Sequence, residues 1–276
     1  MWWLYALLGI GLIGLLIWAF YFGLVVRRYT VASGKIKSPF RIVHVSDLHS
    51  MYHGKDQSKL MKKIAEQKPD LVVLTGDIFN AAGKEDGAVS FLKQICRYPC
   101  FYVLGNYEYR SKKAAKYMEL AQALGISVLS DASAAITVCG NEIVVSGVND
   151  PLRAASFEPD YRMLDALLRV LSGIDETKFN VFLAHNHIYV DEYRKYPYDL
   201  GLSGHSHGGQ FRIPLLMNGF FVKQQGFFPK YAGGLYRFGE QTHIVSRGVS
   251  MKPEWVPRVF NPTELVVVDV VPKEAF

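Results

Sequence analysis

Leu71-Val72-Val73-Leu74-Thr75-Gly76-Asp77 is an apolar strand that delivers a carboxylate straight after a glycine. Upstream, Arg41-Ile42-Val43-His44-Val45-Ser46 reads as a buried strand ending at Asp47-Leu48-His49. Downstream, Phe101-Tyr102-Val103-Leu104 is a third strand, ending in Gly105-Asn106-Tyr107-Glu108. Helical spacing fills the gaps. Residues 57–67 carry Leu60 and Ile64 on one face and stop at Pro69, and residues 84–96 carry the stripe Val89, Leu92, Ile95. Strand, helix, strand, helix, strand with polar groups at the carboxyl ends predicts an α/β sheet whose ligands gather at those ends.

The remaining chain extends the pattern. A helix is expected at 112–124, strand-like runs at 126–129, 135–138 and 142–146, and an amphipathic helix at 161–171. Val181-Phe182-Leu183-Ala184 leads into His185-Asn186-His187, and residues 198–202 lead into Ser203-Gly204-His205-Ser206-His207-Gly208-Gly209-Gln210. An extended backbone puts His205 and His207 on the same side of the chain. The glycines around them let the main chain approach an ion closely, and neutral imidazole is the commonest protein metal ligand. Residues 210–213, 242–246 and 265–270 are expected to close this sheet or a second one. His44, in mid-strand, reads as a hydrogen-bonded core residue and His187 as a solvated loop residue. Arg247 reads either as a phosphate contact or as half of a surface ion pair. The aromatics between 220 and 237 read as packing beneath a long loop, with a lipid interface or an acyl-chain groove as the alternative.

The 276-residue chain is half apolar, enough for a substantial core, and its net charge of +6 suits an anionic substrate or a membrane surface. Three cysteines without a CxxC pair signal neither a disulfide framework nor a zinc knuckle. Without a basic helix or a stacking platform, nucleic acid is not an expected partner. Residues 1–26 hold no charged side chain, and as a helix would extend about 39 Å, enough to cross a bilayer core with some tilt. They are expected to be a single transmembrane anchor, with a cleaved signal peptide ranked second. Arg27, Arg28 and Lys35 follow this span while no basic residue precedes it, which places the rest of the chain on the cytoplasmic face of the cell membrane. The GxGxxG string at Gly9–Gly14 follows no strand and lies inside the anchor, so it is not a dinucleotide site. Residues 27–39 then form a linker, and 40–276 one catalytic domain.

Five strand ends carry metal-type groups: Asp47 with His49, Asp77, Asn106, His185, and His205 with His207. Mixed oxygen and nitrogen donors suit Mn, Fe or Zn rather than Mg or Ca. The ordered set Asp47-x-His49, Gly76-Asp77, Gly105-Asn106, a histidine after an apolar strand, and Gly204-His205-Ser206-His207 resembles the calcineurin-like metallophosphoesterase superfamily. The anchor, the Gly-Gly-Gln after His207 and Ser246-Arg247-Gly248 resemble its membrane-attached YkuE/YaeI-like branch, which is similar to UDP-2,3-diacylglucosamine hydrolases. The resemblance implies a four-layer α-β-β-α sandwich of two mixed sheets. It implies two divalent metal ions, one held by Asp47, His49 and His207, the other by Asn106, His185 and His205, with Asp77 bridging. It also implies phosphodiester or pyrophosphate hydrolysis by a metal-activated hydroxide, on a phosphoester that is lipid-linked or close to the membrane. The family's third motif usually reads Gly-Asn-His, that histidine contacting phosphate; here Tyr107 takes its place. A phenol, with an ordinary pKa of about 10, can donate a hydrogen bond but is not a cation at neutral pH. Catalytic roles are therefore expected for Asn106, Tyr107 and Arg247, with His53 or His187 as substitutes. The alternative is a non-catalytic metal- and phosphate-binding module.

Overall fold

The computed structural model describes residues 2–153, 162–251 and 256–275. Two six-stranded mixed sheets form the body. The first runs β1 (Val25–Ser33), β14 (Glu264–Pro272), β2 (Phe40–Val45), β3 (Leu71–Thr75), β4 (Cys100–Val103), β5 (Ser127–Val128). The second runs β12 (Gly234–Phe238), β13 (Gln241–Val245), β9 (Leu200–Gly204), β8 (Phe179–Asn186), β7 (Asn141–Val148), β6 (Ala132–Val138). Strands β2 to β5 are mutually parallel, as are β13, β9, β8 and β7, so each run presents its carboxyl ends on one rim.

The alternation of side chains builds the layers. In β3, Leu71 and Val73 enter a core shared with Val181 and Leu183 of β8 and Leu202 of β9, so the sheets pack face to face. Val72 and Leu74 point the other way, onto Leu60 and Ile64 of helix α2 (Ser58–Glu66) and Phe91 and Leu92 of helix α3 (Asp86–Ile95). Phe182 and Ala184 face Leu167 and Leu171 of a helix at Met163–Leu171 on the outside of the second sheet. The fold is thus the expected α-β-β-α sandwich. Tyr161, the first residue of that predicted helix, lies outside the described residues.

The amino-terminal boundaries differ from expectation. Helix α1 spans Trp2–Ala19, about 27 Å, and of its residues only Ala19 is buried. It is long and apolar enough to cross a membrane. The stretch read as the end of an anchor and a linker is instead strand β1, paired in parallel with β14 from Val25↔Glu264 to Ser33↔Pro272. Val25-Val26-Arg27-Arg28-Tyr29-Thr30-Val31 is β-branched and alternates, Val26 packing on the outer core and Val31 on the inner one. Its exposed arginines disguise an edge strand as a linker. Residues 210–213 make only isolated bridges, Phe211↔Val259 and Ile213↔Met217, rather than a strand.

Candidate metal centre

The rim gathers the loops that follow β2, β3, β4, β8 and β9. The loop after β2 is zipped to the loop after β3 by Asp47 N donating to Gly76 O (3.1 Å) and His49 N donating to Asp77 O (2.8 Å). The two sheets meet here at Gly204, where a β-carbon would lie 1.9 Å from Ser46 Oγ and 2.4 Å from Asp47 Oδ2. Only glycine lets β9 come this close.

Asp47, His49, Asp77, His205 and His207 all have left-handed backbone, with φ of 57°, 49°, 53°, 69° and 47°. For residues other than glycine this costs on the order of 1–2 kcal/mol each. Such strain persists only where surrounding bonds hold it, and it concentrates at functional sites. Here it turns five side chains from the loops after β2, β3 and β9 towards one another.

With His185 they form two groups of converging ligand atoms, Asp47–His49–His207 and Asp77–His185–His205. In the first, His49 Nε2 lies 3.3 Å from His207 Nε2, and His207 Nε2 lies 3.6 Å from Asp47 Oδ1. In the second, His185 Nε2 lies 3.1 Å from His205 Nδ1 and 2.9 Å from Asn106 Oδ1. Asp77 Oδ2 stands between them, 3.8 Å from His49 Nε2 and 3.4 Å from His185 Nε2. The structure thus brings together all seven side chains singled out as metal ligands.

The neighbours orient these donors. His185 Nδ1 is 2.7 Å from the Thr75 carbonyl, which can only accept, so that nitrogen carries a proton and Nε2 is the atom turned into the site. Tyr107 N donates to Asp77 Oδ1 (2.8 Å), leaving Oδ2 to face inward. Ser46 Oγ and His205 N fix Asp47. Burial pushes the Asp77 carboxyl up, to about 7, helped by Glu108 and Asp47 and opposed by His185. Burial also raises Asp47 and lowers His205 and His207. For His185, burial disfavours the cation, but Asp77, Asp47 and Asp150 outweigh it and hold its pKa well above the ordinary value. Buried carboxylates disfavoured as anions, beside the imidazoles of His205 and His207 held neutral, are a donor set that fits cations, and a cation there would take over the role of the proton on His185.

Above the ligands opens a cavity of about 570 Å³ lined by Asp77, Asn106, Tyr107, Arg110, His205 and His207, with Phe220, Phe221 and Phe227 on its far wall. Tyr107 packs edge-on against His49, with ring centroids 4.5 Å apart. Arg247 does not line this cavity. It is 4% exposed, with Nη1 3.1 Å from Glu264 Oε2 and Nη2 donating to Asn218 Oδ1 (2.8 Å), so neither a phosphate contact nor a surface pair describes it. Burial beside Glu264 selects the internal ion pair. His187 is fully buried rather than solvated, its ring 5.7 Å from that of His205, in the short 3-10 turn that follows β8. Neither His187 nor His53 lines the cavity. His44 is buried as expected, 2.6 Å from Thr75 Oγ1.

Two residues at the site were missed. Glu108 is fully buried and accepts four hydrogen bonds, from Asp77 N and Gly105 N on Oε2 (both 2.9 Å) and from Phe79 N (2.9 Å) and Tyr102 Oη (2.8 Å) on Oε1. It ties the loops carrying Asp77 and Asn106 together. Arg110 stands one turn beyond Tyr107 on helix α4 (Asn106–Arg110), its guanidinium 5.7 Å from the Tyr107 ring. The signal for Arg110 was the i, i+3 spacing, hidden because 105–108 was read as a strand end rather than a helix start.

Residues 40–209 match the family model described as calcineurin-like phosphoesterase. Among relatives, the chain is 31% identical over 255 residues to the uncharacterized metallophosphoesterase Cj0846 of Campylobacter jejuni, covering 89% of this chain and 63% of that protein. It thus spans slightly less than two thirds of the Campylobacter protein's own length. It is 30% identical over 220 residues to the phosphodiesterase YaeI of Escherichia coli, covering 77% of this chain and 76% of that protein. It is 25% identical over 274 residues to the UDP-2,3-diacylglucosamine pyrophosphatase LpxG of Chlamydia muridarum, covering 82% of each.

Proposed function

The chain belongs to the calcineurin-like phosphoesterase family, and from that premise we propose that it is a membrane-anchored phosphodiesterase or pyrophosphatase using two divalent metal ions. The observation that carries this reading is the place of Asp77 Oδ2, 3.8 Å from a nitrogen of one ligand group and 3.4 Å from a nitrogen of the other. Asp47, His49 and His207 would hold one ion, Asn106, His185 and His205 the second, and Asp77 both. Mixed donors of this kind suit Mn, Fe or Zn. When bound, the two cations supply charge for the phosphoryl oxygens and acidify the attacking water.

The chain's own groups do the rest. Glu108 and the Tyr107 amide keep Asp77 in its shared orientation. Arg110 offers a cation at the cavity wall where the Tyr107 phenol has none, and binds a phosphoryl oxygen. The Tyr107 hydroxyl is a hydrogen-bond donor rather than a strong acid, which favours a leaving group acidic enough to depart with little protonation, such as a nucleoside monophosphate. The aromatic far wall and helix α1 favour a lipid-linked substrate at the membrane. The names of YaeI and LpxG, a phosphodiesterase and a pyrophosphatase of a diacylated sugar nucleotide, lie in the same direction. The basic residues after α1 favour a cytoplasmic side for the catalytic domain.

The test is manganese-stimulated hydrolysis of an aryl phosphodiester and of UDP-2,3-diacylglucosamine by the purified full chain, with Asp77→Asn falling to background. Metal-loaded protein that turns over neither diesters, monoesters nor sugar-nucleotide lipids refutes the reading in favour of a binding module.

A further inference from the structure

Beyond residue 22, ten large apolar side chains are exposed among the described residues, and seven of them fall between 213 and 228: Ile213, Leu215, Leu216, Phe220, Phe221, Phe227 and Phe228. Apolar residues scattered singly on a surface need no explanation, but a concentration like this does. Two tips carry the most exposed of them. One is the turn closed by Ile213 and Met217, where Leu215 has φ +69° and is fully exposed, and Leu216 is 84% exposed. The other is the hairpin of β10 (Phe221–Val222) and β11 (Gly226–Phe227), with Phe227 62% and Phe228 69% exposed. A left-handed turn position ordinarily takes glycine or asparagine; here it holds a leucine facing outward.

The segment is rooted at the end of α1. Phe211 bridges Val259, and the next residue, Phe260, donates to the carbonyl of Ala19 (2.7 Å) and meets Trp18 edge-on at 4.9 Å. Arg212 and Pro214 line one crevice with Trp18, Tyr21 and Arg27. At its other end, Phe220, Phe221 and Phe227 wall the cavity over the metal ligands. Between 211 and 228 there is no acidic residue, whereas Arg212 and Lys223 are basic, the charge that suits anionic headgroups. Apolar tips, a basic flank and continuity with a membrane-spanning helix share one strip that ends at the cavity mouth.

We propose that residues 211–228 form a second membrane contact, seated in the bilayer interface beside α1, so that the metal cavity opens at the lipid surface. The inference rests on the reading of α1 as an anchor, and supplies that reading with the route by which a lipid-linked phosphoester reaches the site. Interfacial segments of this kind bury their apolar face about 5–10 Å into the headgroup boundary.

The test uses the full chain in phosphatidylcholine–phosphatidylglycerol vesicles, with Cys96→Ser and Cys139→Ser and an environment-sensitive fluorophore on one new cysteine. Labels at Leu216→Cys and Phe228→Cys are expected to emit to the blue, to be quenched by bromines on the acyl chains and to be shielded from aqueous iodide. A label at Lys62→Cys, exposed on α2, is expected to do the opposite. Iodide access at 216 and 228 overturns the proposal, and so does shielding from both quenchers, which means that protein covers the tips. A label at Ile10→Cys separates the two readings: quenched by bromolipid while 216 and 228 are not, it leaves the anchor standing and the second contact refuted. All these signals report lipid contact rather than turnover, so failure of the hydrolase reading is seen separately.

Discussion

Replacing Glu108 with glutamine removes one charge and changes almost no volume, yet the structure makes it a severe change. The carboxylate accepts from three backbone amides and one phenol. Glutamine has one acceptor oxygen. If that oxygen takes the place facing Asp77 N and Gly105 N, the new NH₂ faces Phe79 N and Tyr102 Oη. The phenol can turn and accept, but the Phe79 amide is left buried against another donor. The opposite flip strands two amides instead of one. A stranded buried amide costs about 1–3 kcal/mol, and the surviving bonds lose their charge assistance, so the net loss is about 2–4 kcal/mol. That corresponds to a fall in Tm of roughly 5–15 °C. Because the stranded amides belong to the loops that carry Asp77 and Asn106, metal affinity should also drop, by about 10- to 100-fold as for other residues that orient ligands. Thermal unfolding in detergent, followed by metal titration, measures both. A variant with the parental Tm and undiminished metal content would show that Glu108 does not hold these loops.

Further outcomes follow from the same geometry. Tyr107→His should raise turnover of an alkyl phosphodiester by about 10- to 100-fold through general-acid help, and leave a nitrophenyl ester within about twofold, because that leaving group needs no proton; equal gains on both substrates would contradict the role given to the phenol. His243 is buried between Tyr198 and Ser203, and burial lowers its pKa from 6.5 to about 3. The unfolded chain therefore binds the extra proton between these values, and stability falls as pH drops from 6.5 towards 3. His243→Gln should remove about 1.4 kcal/mol per pH unit from that slope between pH 6 and 4, read by denaturant unfolding at each pH. Chelation of the metals should lower Tm by roughly 5–10 °C, since binding at a hundredfold over Kd contributes about 2.7 kcal/mol; an unchanged Tm on removal and return of manganese would argue against a built metal pair.

How much of this was legible in the chain depends on the range of the forces involved. Apolar runs such as 71–74 and 181–184, each followed directly by a polar residue, pointed to the α/β class, because strand burial is written in local composition. The seven ligand-type residues stood out because polar side chains at the ends of apolar strands, four of them next to a glycine, have little to gain from packing. The edge strand at 25–33 did not stand out, because its partner lies more than two hundred residues away and its outward arginines read as a linker. Arg247 and His187 were misjudged for the same reason: whether a cation meets phosphate or Glu264, and whether an imidazole meets water or a neighbouring strand, is decided by side chains from other elements. Glu108 looked like the end of a motif, and only the folded backbone shows the three amides aimed at it. The sequence alone determined which atoms were suited to a cation. The tertiary structure decided which of them converge, through strained left-handed backbone at five of the seven positions that bonds from other elements hold in place.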